Sequence, residues 1–168
     1  MRSTMIKLGQ HLFRFRAVIA VPFFIMLVLV SRLSSAVFIP CVLMLVGLGM
    51  RLWAAGYIGT RGRTRYFLTD YRIISGPYRI CRHPLYIGNF LLVLGVVLLF
   101  KPPPWYALVV FSSFVGIYSL IAYSESSYLR DRPLRRATFR SANLAGEVST
   151  MVVVLMILAL YIVLRSFQ

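Results

Sequence analysis

Acidic side chains are scarce in this sequence. Of its 168 residues, 19 are Lys or Arg and only 4 are Asp or Glu, which gives a formal net charge of +15. Charged residues make up 14% of the chain and hydrophobic residues 60%, whereas soluble domains hold about 25% and about 45–50%. A water-soluble fold of this length cannot bury so much apolar surface, and a disordered chain requires low hydrophobicity. The composition excludes both classes. It indicates that the basic residues interact with a lipid bilayer rather than with nucleic acid.

Cysteine and histidine are also scarce. Cys41 and Cys81 are too few for a disulfide framework and show no CxxC spacing. The histidines are His11 and His83, so a metal centre would have to be assembled almost wholly from the four carboxylates. We therefore expect no metal site, and we expect any cofactor to be organic.

Long hydrophobic runs dominate the chain. A straight transmembrane helix needs about 20 residues, and the backbone in lipid must form its hydrogen bonds within the segment, which favours helices. The uncharged runs predict five spans, at about 13–31, 36–57, 84–100, 105–123 and 147–165. The first run is short, so we expect Arg14 and Arg16 to extend toward the interface. We predict an all-α bundle of five transmembrane helices, with residues 1–168 as one membrane-embedded domain.

The distribution of basic residues predicts the orientation. Fifteen lie before the first span or in the connections after the second and fourth spans, three lie on the other side, and Arg51 is inside the second span. Because basic loops stay in the cytoplasm, we expect a cytoplasmic N-terminus. The four acids, Asp70, Glu125, Asp131 and Glu147, lie on the same side. An active site is therefore expected to face the cytoplasm.

Two features of the connections add to this scheme. The first apolar run also resembles a signal peptide ending at Ser34-Ser35-Ala36, but the basic segment before it is long, so we expect an uncut membrane anchor. The connections 31–35 and 101–104 are short. They predict antiparallel hairpins between spans one and two and between spans three and four.

The segment 75–89 contains the residues best suited to chemistry. Pro84 disfavours helical geometry at His83 but suits the first turn of a helix, so the third span should begin at Pro84 with His83 at its edge. The amides of Leu85 and Tyr86 at that helix start could bind a carboxylate or a phosphate. Gly88 would let a ligand or a neighbouring backbone approach closely.

Each of these residues also has a structural interpretation. Arg79 and Arg82 suit interfacial anchors, Tyr78 and Tyr86 suit an aromatic belt, and Gly88 suits helix packing. The grouping of all of them, with His83, within a short stretch favours a functional site.

This segment resembles a known family. Gly76-Pro77-Tyr78 followed by Arg82-His83-Pro84-Leu85-Tyr86-Ile87-Gly88 is similar to the R-H-P-x-Y-x-G signature of the isoprenylcysteine carboxyl methyltransferase family, which includes related phospholipid methyltransferases. The similarity covers about residues 45–100. Members are integral membrane enzymes that use S-adenosylmethionine. The resemblance implies that His83, Tyr86 and Gly88 belong to a cofactor site approached from the cytoplasm.

The second half of the chain departs from the family pattern. Members continue with E-E-x-x-L, whereas this chain has Glu125-Ser126-Ser127-Tyr128-Leu129, so one of two carboxylates is missing. Glu125 is then the nearest negative partner for a cationic cofactor, or else an interfacial acid that pairs with Arg130 or Arg132. Glu147 could replace the lost acid, but we favour a charge at a helix N-terminus.

The predicted function is methyl transfer from S-adenosylmethionine to a lipophilic acceptor from the bilayer: a prenylcysteine carboxylate, a phospholipid amine or a small hydrophobic molecule. A non-catalytic membrane scaffold or lipid-binding subunit with a degenerate cofactor site is the alternative. Glu125 and Arg82 are the predicted catalytic residues. The predicted cofactor-binding residues are Tyr78, His83, Pro84, Leu85, Tyr86, Gly88 and Glu125.

Overall fold

The computed structural model describes residues 2–58 and 71–167, with side chains from Lys7 onward. Its α-helices are α1 Arg2–Val30, α2 Phe38–Ile58, α3 Pro77–Ile80, α4 Pro84–Phe100, α5 Pro104–Tyr128 and α6 Val148–Ser166. Two short strands, β1 Arg72–Ile73 and β2 Leu134–Arg135, and a 3₁₀ helix, Ser141–Glu147, complete the described elements. The predicted helical class is confirmed, apart from this short strand pair.

Four helical segments of the described chain are long and apolar enough to cross a membrane: Lys7–Val30, Phe38–Ile58, Pro104–Tyr128 and Ser141–Ser166. Helix α4 coincides with the predicted third span but has only 17 residues. It begins at Pro84, whose missing N–H costs nothing there, and it ends before Lys101, whose φ of 45° stops the helix.

Two of the helices extend beyond the predicted spans. Helix α1 contains Arg14 and Arg16 well inside its length, and α5 continues to Tyr128 instead of ending near residue 123. A charged residue ends an apolar run but not a helix, and no Pro or Gly lies between Ser124 and the end of α5 at Tyr128. The extension places Glu125 on the last turns of α5.

Helix α2 packs antiparallel on α4 through small residues. A Cβ on Gly88 would lie 2.8 Å from the carbonyl oxygen of Gly47, and one on Gly95 would lie 2.8 Å from that of Pro40. Such contacts bring two helix backbones together, which is how small residues drive helix association in lipid. Gly88, which the sequence already made a candidate for helix packing, and Gly95 therefore both face α2.

Helix α1 packs antiparallel on α5. Gly9 lies against Ser124 near one end, and Tyr106 OH donates a hydrogen bond of 2.7 Å to the Phe23 carbonyl near the other. The prediction that consecutive spans pair as hairpins is wrong for the closest packing, which joins α2 to α4 and α1 to α5. Glycines that face a neighbouring helix determine these pairs, and the lengths of the connections do not.

A buried apolar cluster holds the far ends of the helices together. Its members are Leu27, Val97, Leu99, Phe100, Tyr106 and Tyr161. The ring of Phe100 makes edge-to-face contacts with Phe24 and Tyr161. Helix α6 is fastened here, because Tyr161 OH and Arg165 Nη1 both donate to the Ser34 carbonyl.

The chain between α5 and α6 folds over the opposite end of the bundle, which we call the basic end; it comprises the ends of α2 and α5 and the starts of α4 and α6. Strands β1 and β2 pair in parallel, with Arg72 opposite Leu134. The Gly56 carbonyl at the end of α2 accepts hydrogen bonds from Arg140 N at 3.0 Å and from Asn143 Nδ2 at 2.9 Å. These contacts fix the connection against α2 and β1.

Gly47→Ala should destabilise the protein, because the new methyl would lie 2.8 Å from the Gly88 carbonyl oxygen. Overpacking of this kind costs about 1–3 kcal/mol. Gly49→Ala on the same helix is the control, since nothing lies within 4 Å of its added Cβ, and helix propensity favours Ala there. Thermal unfolding of the detergent-purified variants measures both; equal melting temperatures would contradict the α2–α4 contact.

Candidate functional site

Two prolines shape the approach to the site. Pro77 begins the short helix α3 and Pro84 begins α4, with Cys81 and His83 in non-helical conformations between them. Gly76 directly precedes Pro77 and has a φ of 58°, and an added Cβ there would meet the ring of Tyr57. Glycine suits such a left-handed position. The two prolines place His83 at the edge of α4, as the sequence predicts.

Side chains from the start of α4 and the end of α5 meet at this edge. Glu125 Oε2 accepts a hydrogen bond from Tyr86 OH at 2.7 Å and lies 3.2 Å from His83 Nδ1. His83 Nε2 lies 3.0 Å from Ser126 Oγ, and the imidazole stacks on the Tyr86 ring with centroids 5.2 Å apart. A neutral imidazole protonated on Nδ1 satisfies both contacts, because it donates to Glu125 and accepts from Ser126. Within the described chain, both contacts to Glu125 use Oε2, so Oε1 is the oxygen left for a ligand.

A cavity of about 610 Å³ adjoins this cluster. Its walls are β1, α3, the residues between α3 and α4, and the last turns of α5. The volume is within the range of small-molecule sites, about 300–1,000 Å³. Among the described residues, its lining combines aromatic rings, four arginines and one acid: Tyr71, Tyr78, Tyr123, Arg72, Arg79, Arg82, Arg130 and Glu125. The cavity can therefore hold an aromatic, zwitterionic small molecule.

A second cavity, of about 220 Å³, lies on the other side of the cluster, between α1, α2, α4 and α6. Phe13 and Arg16 of α1 line it, as do Arg51 of α2 and Ser149 and Thr150 of α6. The residues that line both cavities are Ile58, Tyr78, Arg82, His83 and Glu125. The cluster thus forms the partition between the two spaces.

Arg51 organises a buried polar network beside the smaller cavity. Its guanidinium donates to both carboxylate oxygens of Glu147, at 2.9 and 3.1 Å, and to Thr150 Oγ1 at 3.0 Å. It also donates to Asn89 Oδ1, and Asn89 Nδ2 donates to Tyr118 OH at 3.0 Å. The network neutralises the one base that the sequence places inside the second span.

Glu147 has a different role from the helix N-terminal charge that we favoured from the sequence. It precedes α6, but its side chain forms no capping hydrogen bond to that helix. The carboxylate is fully buried and pairs with Arg51 instead. A buried guanidinium is stabilised by pairing with a carboxylate, because an unpaired charge inside the protein is costly. Glu147 is therefore a structural ion-pair partner for α2.

The structure brings together most of the predicted site residues. His83, Tyr86 and Glu125 form the cluster; Tyr78 and Arg82 line both cavities, while Pro84, Leu85 and Tyr86 line only the smaller one. Glu125 contacts Tyr86 and His83, rather than the predicted alternatives Arg130 and Arg132.

Two predictions about the start of α4 need correction. The Tyr86 amide already donates to the His83 carbonyl at 3.1 Å, so of the two predicted anion-binding amides only that of Leu85 is not engaged in this way. Gly88 lines neither cavity and lies against Gly47 and Arg51 of α2. Its lack of a side chain serves helix packing, because the α2 backbone occupies the space that a ligand would need. Asp70 lies outside the described residues.

Several residues of the site could not be singled out from the sequence. Ser126, which replaces an expected acid, contacts His83. Asn89 and Tyr118 join the Arg51 network, and Arg16 lines the smaller cavity. The one signal in the sequence was that the predicted first span, 13–31, includes Arg16, because charges within spans usually face a cavity or the bundle interior.

Comparison with known proteins identifies a family for this chain. Residues 35–132, from before α2 to just beyond α5, match the model of a family described as phospholipid methyltransferase. Helices α1 and α6 lie outside the matched range. No solved structure matches the chain.

Two curated relatives match over 46 residues, or 27% of this chain. The nickel-cobalt-cadmium resistance protein NccN of Alcaligenes xylosoxydans is 44% identical there, and the cobalt-zinc-cadmium resistance protein CzcN of Cupriavidus metallidurans is 50% identical. The matches span only 19% and 18% of the relatives' own lengths. These similarities are local.

The Arg51–Glu147 pair predicts a strongly non-additive stability effect. Arg51→Leu or Glu147→Leu alone should destabilise by about 3–5 kcal/mol, because each leaves a buried charge without its partner. The double variant Arg51→Leu with Glu147→Leu should lose far less than the sum. Unfolding by titration with a denaturing detergent measures all three, with Arg14→Leu as an exposed control. Strictly additive losses would contradict the pairing.

Proposed function

The chain belongs to the phospholipid methyltransferase family, and on that premise we propose that it transfers a methyl group from S-adenosylmethionine to a lipophilic acceptor. The single observation that carries the proposal is the His83–Tyr86–Glu125 cluster. It lies between a larger cavity suited to the cofactor and a smaller one against the helices that face lipid.

The residues of the larger cavity fit S-adenosylmethionine, which combines an adenine, a carboxylate, an ammonium and a sulfonium. The carboxylate suits Arg79, Arg82 or Arg130, since guanidinium groups bind carboxylates in bidentate fashion. The aromatic faces of Tyr78 and Tyr123 suit the adenine and the cationic sulfonium. The four arginines repel the positively charged end of S-adenosylmethionine. The acid in this wall is therefore important for binding the cofactor.

Glu125 is that acid. Tyr86 and His83 hold its Oε2 from the α4 side, which leaves Oε1 to offset the positive end of the cofactor. Ser126 holds the imidazole from the α5 side. We assign Tyr86 and His83 to fixing this carboxylate, which lets one acid serve where the family pattern has two.

The reaction requires positioning more than acid–base chemistry. When bound, S-adenosylmethionine supplies an electrophilic methyl group. A lone pair of the acceptor forms the new bond to the methyl carbon as the C–S bond breaks, and the bonding electrons remain on sulfur. Alignment of the two reactants and exclusion of water account for most of the catalysis in such a step. Arg82, which lines both cavities, is placed to orient both reactants.

The membrane arrangement belongs to the same proposal. We assign α4 as a fifth span, paired with α2, and we place the basic end in the cytoplasm because the basic connections gather there. Large apolar side chains on α1, α5 and α6 are exposed, among them Val18, Leu108 and Leu155. A lipid environment would cover them. The acceptor would then enter from the bilayer.

The names of the two relatives refer to metal resistance, and we do not extend that role to this chain. The local matches cover less than a fifth of each relative. In residues 2–58 and 71–167, no group of three His, Cys, Asp or Glu side chains is placed to hold a metal ion.

Cofactor binding tests the proposal. We expect isothermal titration with S-adenosylmethionine to detect binding to the detergent-purified protein, and His83→Ala and Glu125→Gln each to weaken it at least about tenfold, or 1.4 kcal/mol. His11→Ala and Asp131→Asn are matched controls, since neither residue lines a cavity. Absence of binding to folded protein would overturn the proposal and support a non-catalytic member of the family. Binding with equal affinities across the set would overturn the cofactor-binding roles of His83 and Glu125.

A further inference from the structure

The smaller cavity has a lining that the cofactor does not explain. We propose that it binds the anionic group of an amphiphilic acceptor, and that Arg16 of α1 is the residue that recognises the anion. This inference rests on the proposed function, because it names the substrate class for the same site.

The position of the cavity suits an acceptor. It shares His83, Glu125 and Arg82 with the larger cavity. A polar group in the smaller cavity and a cofactor in the larger one would therefore meet at the same partition. Neither would have to occupy the other's space.

The charge of the lining selects the class of ligand. Among the described residues, Arg16, Arg51 and Arg82 line the cavity against one acid, Glu125. Arg51 is neutralised by its two contacts to Glu147, so Arg16 and Arg82 leave a net positive charge. An anion is favoured there and a cationic amine is repelled.

Arg16 is poised for this role. Its guanidinium stacks on the face of Phe13, 3.8 Å from the ring centroid, which restrains it in the cavity wall. It lies inside a long apolar helix, where a base is costly unless it faces a cavity or a partner. Its planar group can bind two oxygens of a carboxylate or a phosphate at once.

Part of the acceptor wall comes from outside the family match, which covers residues 35–132. The lining residues outside it are Phe13 and Arg16 of α1, Gly146 of the 3₁₀ helix, and Ser149 and Thr150 of α6. The cofactor wall, by contrast, falls within it. The proposed anion-binding residue, Arg16, therefore lies in a helix that the family match does not cover.

The rim offers a route for the hydrophobic part of the ligand. Gly146 and Ser149 are exposed, and so are Val152 and Val153, one turn of α6 beyond Ser149. A ligand whose anionic group reached Arg16 could lay its chain along these surfaces in the bilayer. Two sources carry such an anion: a long-chain carboxylate and a lipid phosphate.

Photo-crosslinking tests the site directly. The probe is palmitic acid that carries a diazirine, added to the full chain in phosphatidylcholine nanodiscs, followed by peptide mapping. We expect labelling of α1 around residues 13–20 and of α6 around residues 146–153. Displacement by oleate would identify a carboxylate site and displacement by oleoyl lysophosphatidate a phosphate site. Displacement by monoolein or oleylamine as effective as by either anion would overturn the proposal.

The Arg16 variants supply the matched comparison. Arg16→Gln should reduce labelling at least about tenfold, because the charge-assisted contact is lost, and Arg16→Lys should restore part of it. Arg14→Gln removes an exposed base two residues away and should leave labelling unchanged. If Arg16→Gln does not fold, Ser149→Leu, which fills the exposed rim, should cause the same loss. Unchanged labelling in a folded Arg16→Gln or Ser149→Leu variant would refute the assignment.

Calorimetry on the same variants separates the two proposals. Arg16 does not line the larger cavity, so Arg16→Gln should bind S-adenosylmethionine with the affinity of the parent chain. Loss of cofactor affinity in this variant would contradict the separation of the two sites. Failure of the parent to bind S-adenosylmethionine, with labelling intact and dependent on Arg16, would refute only the proposed function.

Discussion

The contact between Glu125 and the start of α4 is the interaction on which the functional site depends. Helix α4 packs closely on α2, and α5 packs on α1, so the site lies where two helix pairs meet. Aromatic contacts such as Phe90 with Phe114 join the pairs within the bundle. At the basic end, Tyr86 and His83 join them through one carboxylate. Without that acid, two donors at the cavity partition would lose their partner, which is costly for partly buried groups.

A division of labour between parts of the chain follows from this arrangement. The range that matches the family holds the cluster and the larger cavity, while α1 and α6 close the smaller one. Helix α6 is held by polar contacts at both ends, to Arg51 through Glu147 and to the Ser34 carbonyl through Tyr161. Such anchoring fixes the position of an otherwise peripheral helix. In the proposed function, α1 and α6 help to form the acceptor site, and the matched range forms the cofactor wall.

The sequence predicted the parts of the fold that local signals encode. The bounds of α4 follow from Pro84 and Lys101, and the apolar runs identify the other long helices. The ends of α1 and α5 were less predictable, because a charged residue does not stop a helix. The pairing of α2 with α4 depends on Gly47 facing Gly88 across 41 positions of the chain, and no local pattern reveals which helix a glycine will meet.

The site was predictable to a similar degree. Pro84 and the resemblance together indicated His83, Tyr86 and Glu125, and the structure places them in contact. The Arg51–Glu147 pair joins residues 96 positions apart, so spacing alone could not suggest it. The sequence is compatible with two roles for Gly88, the close approach of a ligand and helix packing. Only the position of the α2 backbone shows that it serves packing. The sequence predicted Arg16 as an interfacial base, because it could not show that α1 begins well before this residue.

A structure determined with bound S-adenosylhomocysteine, the product of the proposed reaction, tests the central claim most directly. The account predicts the ligand in the larger cavity, with its sulfur directed at the partition and its amino group near Glu125 Oε1. It also predicts that the smaller cavity stays free of the nucleoside. Density for the ligand in the smaller cavity, or a Glu125 side chain turned away from Tyr86 and His83, would contradict it.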